Sequence, residues 1–336
     1  MAEVLTRVHA RNLVRWAADR PEVVVFSADL TGSTEIDLFR DAYPDRFFSM
    51  GMTEQNMMSM AGAMAREGFY PFVHTFGVFL YRRALDQIAM SVAYPNAPVR
   101  MFGFLPGILT PGGATHQAIE DVSVMRALPN MTVLETGDAT DVESVLDVAQ
   151  AVPGPVYVRM LRGEIPRLFP ADAPMAFDRM RVLAEGTDVL VVTSGICTEE
   201  ALRLMPTLAA RGLSVGHLHV STLKPMRDGA LLTMAEAARL GVVTMENHTT
   251  QGGLGTIVAE RLAEAGIGRR LVRLGIQDRF AHGASPRYLM AELGIDATAL
   301  VGAVERLVGR PLAVRADELL PAREAAVHSV AKAEAL

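Results

Sequence analysis

Val23-Val24-Val25-Phe26 is a run of four apolar residues without polar alternation, closed by the polar segment 29–33. A strand that is apolar on both faces must be covered on both faces, as in a parallel sheet flanked by helices. The pattern recurs. Segments 47–50, 70–74, 99–104, 131–135 and 156–160 read as further strands, and segments of helical period at 4–18, 54–67, 79–93, 119–127 and 142–151 alternate with them. Such alternation predicts an α/β domain, and ligands of these sheets sit at the carboxyl ends of the strands. The loops at 29–33, 51–54 and 112–116 lie where a site is expected.

The 336 residues allow two domains. Residues 166–186, with Pro166, Pro170 and Pro174, read as a linker between a first domain at 1–165 and a second α/β domain at 187–315. The second domain has strands at 189–192, 214–220, 242–246 and 271–274. Its helices fall at 198–211, 228–240, from Gly252-Gly253-Leu254-Gly255 to 265, and at 286–308. Residues 316–336 read as a tail, either a surface helix or a frayed end.

Half of the residues are apolar and 21% are charged, the balance of a folded, well-buried protein. A net charge of −6 without a Lys/Arg run argues against a nucleic-acid surface. No apolar stretch reaches membrane-spanning length and no signal peptide is visible, so a cytoplasmic, non-membrane protein is expected. The single cysteine, Cys197, allows no internal disulfide and reads as a small buried residue.

Several residues have the chemistry for a site. Glu54, in Gly51-Met52-Thr53-Glu54, opens a helix whose N-terminus favours a carboxylate; from this segment alone an ordinary first-turn acid is the favoured reading. His116, in Thr115-His116-Gln117, is a general acid/base or a cap. Phe76, Phe79 and Tyr81 form an aromatic cluster, core or cofactor wall. Arg7, Arg159 and Arg162 are candidates for binding an anion through guanidinium forks. The Gly252–255 turn is read as structural rather than phosphate-binding, since it lacks the full dinucleotide fingerprint.

Taken together, Ser27-Ala28-Asp29-Leu30 with Ser33, Gly51-Met52-Thr53-Glu54, Thr75-Phe76 with Phe79, Thr115-His116-Gln117, Asn130-Met131, and Gly154-Pro155 with Arg162 follow one another in an order similar to that of the transketolase family. The resemblance spans about residues 4–308. It implies a thiamine-pyrimidine-binding domain followed by a smaller transketolase C-terminal-like domain, and transfer of a two-carbon ketol unit from a ketose to an aldose or its phosphate. It implies that Glu54 hydrogen-bonds the pyrimidine of thiamine diphosphate, that Phe76 and Phe79 pack on it, and that Asp29 and Leu30 lie near it. It further implies that His116 binds substrate and moves protons, and that Arg7, Ser33 and Arg162 hold a distal phosphate.

Three positions depart from the family. Arg82 stands where a third aromatic is usual, with Tyr81 beside it. Phe104 and Gly112 stand where a His and an Asp contact sugar hydroxyls and phosphate. An altered sugar substrate is therefore expected.

The family holds Mg²⁺ and the diphosphate through Gly-Asp-Gly and a later Asn. Gly137-Asp138-Ala139 has no such Asn following it, so no metal ligand is assigned in this chain. The resemblance then implies an N-terminal partner subunit carrying the diphosphate and Mg²⁺ site, in an α2β2 assembly. Related alternatives are a 1-deoxyxylulose-5-phosphate synthase and a 2-oxo-acid dehydrogenase β subunit; an alternative of another class is a non-catalytic regulatory partner.

Overall fold

The computed structural model describes residues 3–321. The first sheet has seven strands in the order Thr222–Lys224, Thr132–Glu135, Val156–Met160, Arg100–Phe104, Tyr70–Phe76, Val23–Ser27, Phe47–Ser49. All but the edge strand Thr222–Lys224 run parallel. The apolar run Val23-Val24-Val25-Phe26 is buried as expected: Val23, Val25 and Phe26 are 0% exposed and Val24 is 3%. Burying each such side chain stabilises the fold by roughly 1.5–3 kcal/mol. The second sheet has the order Leu271–Ile276, Gly241–Thr249, Val189–Thr193, Val215–His219, Arg181–Ala184, with the last strand antiparallel.

Val23–Ser27 lies between Phe47–Ser49 and Tyr70–Phe76. The chain leaves this strand to one side and then crosses to the other. The loops at its carboxyl end therefore diverge and open a crevice.

The structure differs from the sequence reading at four places. Segment 4–18 is not one helix: Val4–Thr6 is a strand pairing antiparallel with Glu164–Pro166, and the helix is Val8–Trp16. The break is Arg7, whose φ of 51° is left-handed and whose amide donates to the Gly163 carbonyl at 3.2 Å. A partner more than 150 positions downstream leaves no local periodic signal. Segment 79–93 divides into Gly77–Arg83, Leu85–Gln87 and a wide π turn at Ile88–Ala93. That turn presses the Ser91 carbonyl against Gly62, where an added Cβ would lie 2.2 Å from the oxygen. Segment 286–308 is two helices, Pro286–Leu293 and Ala297–Val308, parted by Gly294 at φ 70°.

The segment read as linker is also more structured than expected. Arg181–Ala184 is an edge strand of the second sheet, and Arg167 pairs with Glu143 of the first domain at 2.8 Å. In return Thr222–Lys224 joins the first sheet, so the two sheets are interlocked. Of the segment read as tail, Ala316–Glu318 is one 3-10 turn, and 322–336 lie outside the described residues. Cys197 is buried, and burial pushes its thiol well above the ordinary range. Among the described residues no helix is long and apolar enough to cross a membrane.

Five histidines, His9, His74, His217, His219 and His248, are buried in the interior. His74 Nδ1 donates to the Phe72 carbonyl (3.1 Å), which leaves its Nε2 to accept from His9 Nε2 at 3.0 Å, so the pair is neutral. Burial depresses His9 and His217 to about 3, His248 to about 4, and His74 well below its ordinary value. The unfolded chain takes up these protons below about pH 6.5 and the folded chain does not. The stability they protect is present above about pH 6.5 and is lost progressively as pH falls towards 4. Glu246, pushed up to about 8 by burial, acts oppositely: its contribution is lost as pH rises from about 4.5 through 8. Urea midpoints measured at pH 5, 6.5 and 8 are expected to peak near 6.5, with the steep loss on the acid side. A flat profile from pH 5 to 6.5 would contradict this account of the core.

Candidate functional site

A cleft of about 510 Å³ opens at the carboxyl ends of the first sheet, lined by Ala28, Asp29, Leu30, Ser33, Met52, Glu54, Phe79, Arg83, Thr115 and His116. Four loops build it. After Val23–Ser27 the chain turns tightly: the Leu30 amide donates to Ser27 Oγ at 3.3 Å and the Thr34 amide to the Leu30 carbonyl at 2.8 Å. Asp29 takes φ 62°, uncommon for a residue with a side chain, and is held there by these bonds. After Phe47–Ser49 the turn at Gly51 leads into the helix Glu54–Arg66, whose first residue is Glu54. Phe79 and Arg83 stand on the helix after Tyr70–Phe76, and Thr115 and His116 come from the loop after Arg100–Phe104.

Glu54 is 4% exposed although it borders the cleft. Its Oε1 accepts from Arg83 Nη1 at 2.7 Å, and the Arg83 guanidinium lies 4.0 Å over the Phe79 ring. Sequence reasoning did not single out Arg83. The signal was available: Phe79 and Arg83 are four residues apart on a helix and so share a face. His116 presents its ring edge-on to Phe79 at 5.3 Å, and Thr115 Oγ1 lies 2.8 Å from its Nδ1. Gly112 permits this placement, since a Cβ there would sit 2.9 Å from His116 Cγ. Glu54, Phe79, Asp29, Leu30, Ser33 and His116 thus meet around one cavity.

The remaining candidates fall elsewhere. Phe76 is buried, its ring 5.6 Å from that of Phe79, and is not among the lining residues. Arg82 donates to Glu120 at 2.6 and 2.8 Å and to the Ala114 carbonyl at 2.9 Å, while Tyr81 is buried. Phe104, which stands where the family has a substrate-contacting His, is 0% exposed and packs on His9 and His74.

Arg7 and Arg162 stand behind the cleft with two acids. Arg7 ion-pairs with Asp37. Arg162 lies 5.9 Å over the Phe76 ring and acts, with Arg7, on the carboxyl of Glu35. Burial raises the Glu35 carboxyl above its ordinary range, and the Gly163 amide and both guanidiniums oppose that shift.

Arg159 is not an anion site. It is fully buried, donating to Asp121 (2.9 Å), Glu135 (2.5 Å) and the carbonyls of Ala118 (3.2 Å) and Asn247 (2.9 Å). The glycine-rich turn is filled by the protein itself: Glu246 accepts the amides of Leu254 and Gly255 at 2.6 and 2.8 Å. Asp138 caps the helix Ala139–Ala151 and accepts the amides of Leu168 and Phe169, both at 2.8 Å. Among the described residues no group of three or more His, Cys, Asp or Glu could hold a metal ion.

Comparison with known proteins matches residues 5–167 to the pyrimidine-binding domain of transketolase and residues 178–300 to the transketolase C-terminal domain. The chain is 39% identical over 302 residues to an uncharacterised transketolase family protein of Sinorhizobium fredii, covering 88% of this chain and 86% of that one. It is 35% identical to a 6-deoxy-6-sulfo-D-fructose transketolase subunit of a Clostridium species, covering 89% and 92%. A 1-deoxy-D-xylulose-5-phosphate synthase of Prochlorococcus marinus is 30% identical, with the match spanning 90% of this chain and 47% of that protein. Among solved structures, a split-gene transketolase described as an inactive β4 tetramer superposes with a TM-score of 0.83 at 37% identity, over 90% of this chain and 97% of that one. With both family domains in this order and relatives of this similarity along most of its length, the chain belongs to the transketolase family.

Proposed function

We propose that the protein is the C-terminal subunit of a two-chain, thiamine-diphosphate-dependent transketolase that moves a two-carbon ketol unit from a ketose to an aldose. The observation that carries this reading is Glu54, a carboxylate almost wholly buried at the wall of the cleft and linked through Arg83 to the Phe79 ring. The residues fit the aminopyrimidine half of the cofactor: a flat apolar face at Phe79, backed by Phe76, in a cleft that the Glu54 carboxylate and the Asp29-Leu30 turn also line. Arg83 covers that face and is 46% exposed on its solvent side, so it can swing outward. Bound thiamine diphosphate supplies the carbon nucleophile for carbon–carbon cleavage.

This chain's residues do the rest. Glu54 holds or releases a proton at the pyrimidine edge. His116, kept in orientation by Thr115, reaches the substrate oxygens and exchanges protons with them. The reaction is redox-neutral: the C2–C3 bond of the donor breaks, releasing a shorter aldose, and a new bond forms from C2 to the acceptor aldehyde carbon. The proton lost from the donor C3 hydroxyl balances the one gained by the acceptor oxygen. The diphosphate and Mg²⁺ would be held by an N-terminal partner subunit in a cytoplasmic α2β2 assembly, with small sugars as the other ligands.

The test is reconstitution. Mixed with a chain bearing the diphosphate motif, this protein is expected to turn over a ketose with an aldose acceptor only when thiamine diphosphate and Mg²⁺ are added. Release of CO₂ from pyruvate instead would favour the synthase or dehydrogenase reading, and a complex that assembles but turns over neither would favour the regulatory one.

A further inference from the structure

Behind the cleft the chain brings two guanidiniums and two carboxylates together. Arg7, in its left-handed bend, bonds through its amide to the Gly163 carbonyl at 3.2 Å. The Gly163 amide donates to Glu35 Oε1 at 2.7 Å, which ties residue 35 to the turn carrying Arg162. Glu35 has φ 56°, a conformation kept only where surroundings enforce it, and is 4% exposed. Its Oε2 is buried without a hydrogen-bond partner. The Arg7 guanidinium is engaged by Asp37, and Glu35 feels both Arg162 and Arg7. Ser33, two residues before Glu35, lines the cleft, and Arg162 lies over Phe76 directly behind Phe79.

The local charge is therefore balanced by the protein. No further cation comes from position 104, where Phe104 is buried against the neutral His9–His74 pair. A phosphate entering here would have to displace Asp37 from Arg7 and lie against the buried Glu35 carboxylate. Like charges at such range repel strongly where solvent is scarce. A hydroxylated chain meets no such conflict: its hydroxyls can donate to Asp37 and accept from Arg7, whose side chains are 26% and 47% exposed.

We propose that this end of the cleft takes the uncharged, polyhydroxylated end of an unphosphorylated aldose acceptor, with Glu35 and Asp37 as the residues that exclude phosphate. The inference rests on the ketol-transfer reading and adds the substrate class to it.

The test uses the reconstituted complex with one donor and acceptor pairs that differ only in a phosphate: D-glyceraldehyde against its 3-phosphate, and D-ribose against its 5-phosphate. The unphosphorylated member is expected to have at least a tenfold higher kcat/KM. In the Glu35→Gln/Asp37→Asn double variant the ratio is expected to move at least tenfold towards the phosphorylated member. A loss of structure alone would lower both members together and leave the ratio in place.

A wild-type preference for the phosphorylated acceptors overturns the proposal, as does a ratio that the variant leaves unmoved. Should the double variant not fold, inhibition of the wild-type complex by inorganic phosphate decides. No inhibition at millimolar phosphate is expected, and competition with the acceptor below one millimolar overturns the assignment. Turnover with no acceptor of either kind removes the ketol-transfer reading itself, whereas turnover with the wrong preference removes only the acceptor class.

Discussion

Glu54→Gln is expected to lower kcat of the reconstituted complex by about 10²- to 10⁴-fold, the range over which a positioned acid–base group contributes. The substitution is nearly isosteric. The amide oxygen of Gln can still accept from Arg83, which now lies 2.7 Å from Glu54 Oε1, so the helix start and the cleft wall should survive. What is lost is the ability to carry a proton and a negative charge at the edge of the bound ring. The loss should therefore appear in kcat at saturating cofactor, with the folding transition of the subunit unchanged. Arg83→Ala gives the contrast. It uncovers the Phe79 face and frees Glu54, and should change cofactor affinity more than the turnover of the loaded complex. A Gln variant that binds thiamine diphosphate and turns over at the wild-type rate would remove Glu54 from the chemistry.

The largest expected effect on stability is at Arg159. Its guanidinium lies between Asp121 and Glu135, each 2% exposed or less, and also reaches the backbone of Asn247 in the second domain. Tyr157 adds a hydrogen bond to the same Asp121 oxygen at 2.7 Å. Arg159→Met keeps much of the volume but leaves two carboxylates without their counter-charge and removes a donor from the Ala118 and Asn247 carbonyls, the former keeping the Gly107 amide. Removing one member of a buried ion pair typically costs about 3–5 kcal/mol, because the charge left behind is both desolvated and uncompensated. Urea denaturation of the purified subunit should show a loss of that order. Because the arginine joins residues of both domains, the variant should also unfold less cooperatively. A midpoint within experimental error of the wild type would show that the network relaxes by taking in water, and that the domains are held together mainly by their interlocked sheets.

How much could be read in the chain alone differs between elements. The strand Val23–Ser27 and the helix Glu54–Arg66 were legible because hydrophobic period and burial agree within a few residues. The grouping of Glu54, Phe79 and His116 was legible as well, since all three follow strand ends and strand ends of a parallel sheet share one rim. Arg159 was misread because an arginine in a sequence looks the same whether its partners are solvent or two carboxylates 24 and 38 positions away. Glu35 and Asp37 were passed over because nothing local marks them as neighbours of Arg162 and Arg7; a turn at Gly163 and a left-handed bend at Arg7 bring them together.

The amino-acid order by itself determined the alternating α/β architecture, the two successive units and the set of loops in which a site had to lie. These follow from short-range periodicity and from which residues can be covered on two faces. Only the tertiary structure decided that Thr222–Lys224 would cross into the first sheet, that Arg83 would sit on Glu54, and that the guanidiniums behind the cleft would meet the chain's own carboxylates. Each of those depends on pairing between distant segments. Hydrogen bonds and charges select their partners by position in space, and separation along the chain carries no record of the choice.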